Sequence, residues 1–558
     1  MMINFASIIN DKRKINALII AVALILFVPF LGSVHLFDWD EINFAEAARE
    51  MIDLGDYSTV RIDFHPFHEK PPLFIWFQVV SMKIFGVNEF AARFPNAIIA
   101  VVSLLFIFNI GSKLYNNRFG LLWVLTYIGS FLPHFYFKTG LIDPTFNLFM
   151  YAAIFYLYQH YKNGDSKNSK HCIYAGIAVS LAVLTKGPVG YLLPTLAWAI
   201  FHLYKFRLKE LPIKNLLIYT IISFLPLVIW YVYIAFSSDS FVLSEFIHYH
   251  IRLLSTGDAG HSGPIYYHLV MLLLGCFPAS FIALNSFLIK DKSKVNSDNQ
   301  DFRIWNIILF FVVLVIFSLV QTKIIHYSSL AYFPITFLAA NSLYNFFNGE
   351  RTIGKYQNIL LVVFGLVCSL MMSGFPYFLS RKDEFLHLIR DKVAFAVLRD
   401  NVFNINLFDY LPGAVLLIGI LVFLLLIMRN QKNAYLSLFV GVAASIILIL
   451  PVLAPKLEYA LQGRPIEFYQ ELRKQDAYVI TVGFKSYAPY FYNQRKFINS
   501  SAYRNCDGGE FEDYLLKANL DKNVYIVSKI SYDTANFNGL NVQLINSVGG
   551  YNFFQKMK

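Results

Sequence analysis

The sequence predicts an α-helical polytopic membrane protein that ends in a small α/β domain. Three observations predict it. Of 558 residues 57% are hydrophobic and only 15% charged, whereas soluble domains sit near 25% charged. Apolar runs of the length that crosses the hydrocarbon, about 20 residues, recur about thirteen times. After Pro455 those runs stop and short segments of β character begin.

The apolar runs lie near 15–34, 90–111, 119–137, 142–160, 172–185, 188–204, 215–236, 265–289, 304–321, 327–346, 357–379, 410–428 and 434–453. The first follows Asp11-Lys12-Arg13-Lys14. It is too long for a signal-peptide core and reads as an uncleaved span. With the N-terminus inside, Lys113 and Arg118, then Lys162, Lys167 and Lys170, then Lys205, Arg207, Lys209 and Lys214 fall in short inner loops. Lys290, Lys292, Lys294, Arg303, Arg351, Lys355, Arg429 and Lys432 do the same. That is the positive-inside pattern, and an odd number of spans leaves the C-terminus outside.

Pro71–Gly86 is apolar but short and holds Gln78 and Lys83. Counting it as a span would put every later basic loop outside. It therefore reads as an amphipathic helix at the outer interface. Before it, Ala45, Ala48 and Ile52 share one helical face, with Glu46, Arg49, Glu50 and Asp53 polar. The first outer loop, roughly 35–89, thus holds two surface helices. The division is 1–454 for the membrane domain and 455–558 for the outer α/β domain. Within the latter, 477–482, 523–528 and 542–545 read as strands, and 486–493 and 509–518 as helices.

The net charge of +11 reports topology; no basic patch with interleaved aromatics stands out, so no nucleic-acid partner is expected. The cysteines are Cys172, Cys276, Cys368 and Cys506, with no CxxC pair, and predict neither a disulfide nor a metal cluster. The C-terminal domain has no Gly-rich phosphate loop.

Sorted by side, the informative ionisable residues gather outside: Asp40 and Glu41 after the first span, Glu69 and Lys70 before the second surface helix, Lys138 and Asp143, Lys186, Arg252, His261, Lys323 and His326. Each costs about 2.5–3.5 kcal/mol near the apolar core, so their gathering argues for a polar cavity. Cations hold a phosphate, and a carboxylate takes a proton from an attacking hydroxyl. Taken singly, each has a plainer use. Asp143 before Pro144 suits a helix start, and the lysines can snorkel to the interface. A transporter would place such charges near the midplane, with inverted repeats; no repeat is visible.

Trp39-Asp40-Glu41, Ala45 to Met51, Phe67-His68-Glu69-Lys70-Pro71-Pro72-Leu73 and Glu89 to Pro95 together resemble the bacterial lipid A aminoarabinose transferases and their protein O-mannosyltransferase-like relatives. Asp143, Lys186-Gly187-Pro188 and Lys323 to Pro334 follow in the same order, so the resemblance covers essentially the whole chain. It implies a GT-C fold, a polyprenyl-phosphate-linked sugar donor, and transfer on the periplasmic face of a bacterial inner membrane. The acceptor would be a lipid A-like glycolipid, or alternatively protein Ser/Thr. By position, it makes Asp40 the base and Asp143 the second acceptor-side acid. Glu41 completes the carboxylate set and is expected to fix the loop. Lys70 and Arg252 would bind the donor phosphate, with Lys186 and Lys323 in support, and His326 and Tyr327 would line the acceptor cavity. No cofactor is obligatory; Glu69 and His261 are the pair that a divalent metal would use.

Overall fold

The computed structural model describes residues 11–67, 69–163, 169–205, 213–237, 263–288, 297–475, 477–496, 514–517, 522–533, 537 and 540–557. Every expected apolar run coincides with a helix or a bent helix pair. Helix starts carry their signals: Asp11 accepts from the N–H groups of Arg13 and Lys14 ahead of Lys12–Phe27, and Asn88 accepts from Ala91 ahead of Glu89–Leu114. Among the described residues, six helices are long and apolar enough to cross a membrane. Two bent pairs, Asn117–Ile128 with Phe131–Lys138 and Tyr267–Gly275 with Ala279–Phe287, qualify jointly, with bends of 85° and 113°. The other runs form shorter or more polar helices, among them Lys12–Phe27, Asp143–Lys162, Lys170–Lys186, Val189–Tyr204 and Tyr332–Phe347. This is a multi-pass membrane protein.

Both helices of the first outer loop are present, Asp40–Leu54 and Leu73–Phe85. The polar face of the first is not a surface, however. Glu46 and Glu50 are fully buried and Arg49 is 2% exposed. The reason is the C-terminal domain, which covers the helix. Ala45, Ala48 and Met51 join one apolar cluster with Ile466, Tyr469, Phe491 and Phe553. Arg49 and Glu46 are paired, as burial of a charge demands. Arg49 bonds Glu46 through Nε and Nη2, at 2.7 and 2.6 Å, and Nη2 also reaches the carbonyl of Arg495. Arg495 in turn bonds Asp63.

Two short strands, β1 (Arg61–Ile62) and β2 (His65–Pro66), form a hairpin between the two helices. The C-terminal sheet has four strands, β3 (Tyr478–Val482), β4 (Val524–Lys529), β5 (Val542–Val548) and β6 (Tyr551–Lys556), in the order β3-β4-β6-β5. β3 and β4 are parallel, and the other pairs antiparallel. The first three match the strands read from the sequence; β6 was not anticipated, although its Phe553-Phe554 core is strongly apolar. The predicted helix 486–493 is seen as Ala488–Asn493. Of 509–518, only 514–517 are described, and they are helical. Cys172, Cys276 and Cys368 are free thiols; Cys506 lies outside the described residues.

Candidate active site

Four elements from distant parts of the chain bring a row of polar side chains together. Asp40 opens the helix Asp40–Leu54, and Asp143 opens Asp143–Lys162. Both sit where backbone N–H groups are unpaired and the helix dipole favours a carboxylate. Lys186 ends the helix Lys170–Lys186. The chain leaves it through Gly187 at φ +90°, a conformation that suits glycine, and Pro188 precedes the next helix. His326 lies in a 3₁₀ turn, Ile325–Ala331.

The row runs Lys186, Asp143, His326, Asp40. Lys186 Nζ is 2.6 Å from Asp143 Oδ1. His326 Nε2 is 3.9 Å from Asp143 Oδ2 and 3.3 Å from Asp40 Oδ2. Burial lowers the pKa of His326 against the pull of both carboxylates, which favours the neutral imidazole. Its Nε2 is the ring nitrogen that faces both carboxylates, nearer to Asp40. The side chain of Asp143 is 4% exposed and that of Asp40 is 35%. Asp143 is thus committed to Lys186, and Asp40 is the carboxylate a substrate can reach. The Lys186 ammonium also stands 5.2 Å from the centre of the Tyr327 ring. Lys70 is close enough to act electrostatically on His326, and Glu69 on Tyr487.

Glu41 does something else. It is 4% exposed, and its oxygens accept from Arg93 Nε and Nη2, from Phe37 N–H and from Gly140 N–H. Burial alone would raise its pKa; Arg93 and the two amides hold it below the ordinary carboxylate range. Arg93 also donates to the carbonyls of Leu31, Val34 and His35. One ion pair therefore ties the end of the first span, the Asp40 helix and the loop before Asp143. Asn96 completes the clamp on that loop, donating to the carbonyls of Thr139 and Leu141 at 2.7 and 2.6 Å. Asn147 donates to Ser329 Oγ, whose hydroxyl bonds the His326 carbonyl, and so sets His326 against Asp143.

Lys323 is also employed structurally. Its ammonium bonds the carbonyls of Phe317, Ser318 and Val320 at 3.1, 2.7 and 2.5 Å. It caps the C-terminus of Ser297–Leu319, and its three donors are engaged there. A phosphate would have to displace those carbonyls, so Lys323 leaves the donor-binding set. Arg252 and His261 lie outside the described residues, as does any Glu69–His261 pair. Among the described residues, no group of three or more His, Cys, Asp or Glu side chains is placed to share a metal.

Asp38 stands with Asp40 and Glu41 just after the first span, and the structure gives it a role of its own: it links this site to the C-terminal domain. Its carboxylate accepts the N–H of Tyr487 at 3.1 Å. Burial pushes Asp38 up to about 6, against the hydrogen bonds of Ser486 and Tyr487 and the charge of Lys485. The folded protein therefore holds a proton between pH 3.8 and about 6 that the unfolded chain releases. Asp38 stabilises the fold most below that window, and the contribution is lost as pH rises through it. Asp38→Asn keeps an acceptor for Tyr487 and cannot ionise. Its thermal midpoint in detergent should lose the part of the decline across this window that wild type shows; identical pH profiles would remove Asp38 as its source.

Comparisons with known proteins agree with this picture. Residues 69–230 match the family model of dolichyl-phosphate-mannose-protein mannosyltransferases. The undecaprenyl phosphate-α-4-amino-4-deoxy-L-arabinose arabinosyl transferase of Photorhabdus laumondii is 24% identical over 400 residues, 70% of this chain and 71% of that enzyme. The enzyme of that name from Shewanella sediminis is 27% identical over 49% of this chain and 50% of its own length. ArnT from Cupriavidus metallidurans, crystallised with undecaprenyl phosphate, superposes with a TM-score of 0.75 at 17% identity, covering 98% of this chain and 99% of that one. The fold is therefore that of ArnT, helical bundle and C-terminal sheet domain together, and the resemblance drawn from the ordered motifs is borne out.

Proposed function

We propose that this chain, a membrane glycosyltransferase of the aminoarabinose-transferase-like GT-C group, moves a sugar from a polyprenyl-phosphate carrier to a lipid A-like glycolipid. Transfer takes place at the periplasmic face of a bacterial inner membrane, with inversion at the anomeric carbon. The N-terminus lies in the cytoplasm and the sheet domain in the periplasm. The observation that carries the reading is the row Lys186–Asp143–His326–Asp40, ending in the one carboxylate of the row that a substrate can reach. The relatives are named for an undecaprenyl phosphate-linked sugar, which supports this donor class.

The acceptor O–H attacks the anomeric carbon. The bond from that carbon to the phosphate oxygen breaks, and polyprenyl phosphate leaves with its electron pair. Asp40 takes the hydroxyl proton late, as the new C–O bond forms. His326 stands between Asp40 and Asp143, and Lys186 holds Asp143. Lys70 and Arg252 balance the charge growing on the leaving phosphate.

The protein-mannosyltransferase model matched over 69–230 favours a second reading, with protein Ser/Thr as acceptor. One experiment separates the two. Envelope lipids and glycoproteins of a deletion strain are compared by mass spectrometry after complementation with wild type or Asp40→Asn. A sugar missing from lipid A and restored by wild type alone is the expected result. A sugar missing only from protein glycans selects the second reading, and no change in either fraction sinks both.

A further inference from the structure

Strand β3 is followed by Gly483, at φ +78°. A Cβ there would come within 2.2 Å of the Tyr532 ring, so this turn requires glycine. The turn carries the next residues of the C-terminal domain onto the first outer loop. There Tyr487 donates its N–H to Asp38, and its ring meets Trp39 edge-on at 6.1 Å. Between them stands Lys485, with Nζ 5.3 Å from the centre of the Trp39 ring and 5.2 Å from that of Tyr487. Trp39 is 38% exposed, and Lys485 is exposed as well. Among the described residues Lys485 forms no salt bridge. Trp39 directly precedes Asp40, and the Tyr487 phenol feels the charges of Asp40 and Glu69.

An open cation on an aromatic shelf beside the proposed base has an evident use. The rings stabilise the ammonium and restrict it without neutralising it. An anion arriving there gains a charge-assisted hydrogen bond that exposed solvent has left free. The donor's lipid tail stays in the bilayer, which keeps its phosphate near the span ends, where Lys70 and Lys186 stand. Lys485 instead belongs to the sheet domain and is reached from water.

We infer that Lys485, held on the Trp39–Tyr487 shelf, is a specificity residue that receives an anionic group of the acceptor and so directs the acceptor hydroxyl to Asp40. This rests on the glycolipid-transfer reading proposed for the site.

The test uses the full-length protein in liposomes, with a polyprenyl-phosphate sugar as donor and purified lipid A as acceptor. Wild type is compared with Lys485→Arg, Lys485→Gln and Lys485→Glu. The KM for acceptor should rise roughly tenfold in the Gln variant, the loss of about one charge-assisted bond. It should rise further in the Glu variant and stay near wild type in the Arg variant, while the KM for donor changes by less than about twofold. A rise in the donor KM in place of the acceptor KM gives the cation to the leaving phosphate and overturns the assignment. Equal effects of Gln and Glu reduce Lys485 to packing on the shelf, and no effect removes it; both overturn the assignment while wild-type transfer stands. Absence of transfer by the wild type removes the glycolipid acceptor itself, and the assignment with it.

Discussion

Asp40→Asn should leave a folded protein whose transfer rate has fallen about 10²- to 10⁴-fold, the range that a positioned acid or base supplies. The substitution keeps the size of the side chain at its 3.3 Å contact with His326 Nε2, so the row of side chains persists. What disappears is the capacity to take up the acceptor proton. The loss should appear in kcat, with KM for the donor little altered, because the side chain acts as the bond forms. Asp143→Asn should behave differently. Its carboxylate holds Lys186 at 2.6 Å and faces His326, so its removal disturbs the placement of both, and kcat and KM should change together. Turnover of the Asp40 variant at the wild-type rate would take Asp40 out of the chemistry.

The second large effect concerns stability. Arg93→Ala should cost about 3–5 kcal/mol, because it strands the Glu41 carboxylate in a site that water does not reach. Arg93 is 3% exposed and Glu41 4%, and the substitution also removes the donor from three backbone carbonyls. Glu41→Gln should be milder, since it leaves no buried carboxylate unpaired, although its single amide oxygen can accept from only one of Phe37 and Gly140. Combining the two should cost less than the sum of the single losses, as expected of partners in contact. Thermal unfolding followed by intrinsic fluorescence in one detergent measures all three. A loss under about 1 kcal/mol for Arg93→Ala, the scale of an exposed pair, would mean that the pair is solvated after all.

The helical part of the fold was legible because apolar runs and basic inner loops are local signals. The two outer helices were legible for the same reason. The burial of Glu46, Arg49 and Glu50 was not. Their spacing is that of an ordinary solvated face, and only the domain that begins some four hundred residues later covers it. The site divides in the same way. Asp40, Asp143, Lys186 and His326 stood out as ionisable groups at span ends, and the structure brings them into one row. Arg93 sat inside a quoted motif without a role, although an arginine opening an apolar helix is costly enough to demand a partner. Asn96 and Asn147 gave no signal, since one amide in an apolar helix looks like any other. Lys323 misled because a lysine that caps a helix and a lysine that holds phosphate share the same sequence context. Lys485 was silent because only the fold brings it to Asp38 and Trp39.

The bond from Tyr487 to Asp38 joins residues 449 positions apart. During synthesis, at about 5–20 residues per second, Asp38 is made roughly 20–90 seconds before its partner exists. Through that interval the membrane helices can insert and Asp40 can meet His326, but the C-terminal domain that covers the Asp40–Leu54 helix is missing. Until then the Glu46–Arg49–Glu50 face of the Asp40–Leu54 helix, buried in the finished fold, stands without its cover.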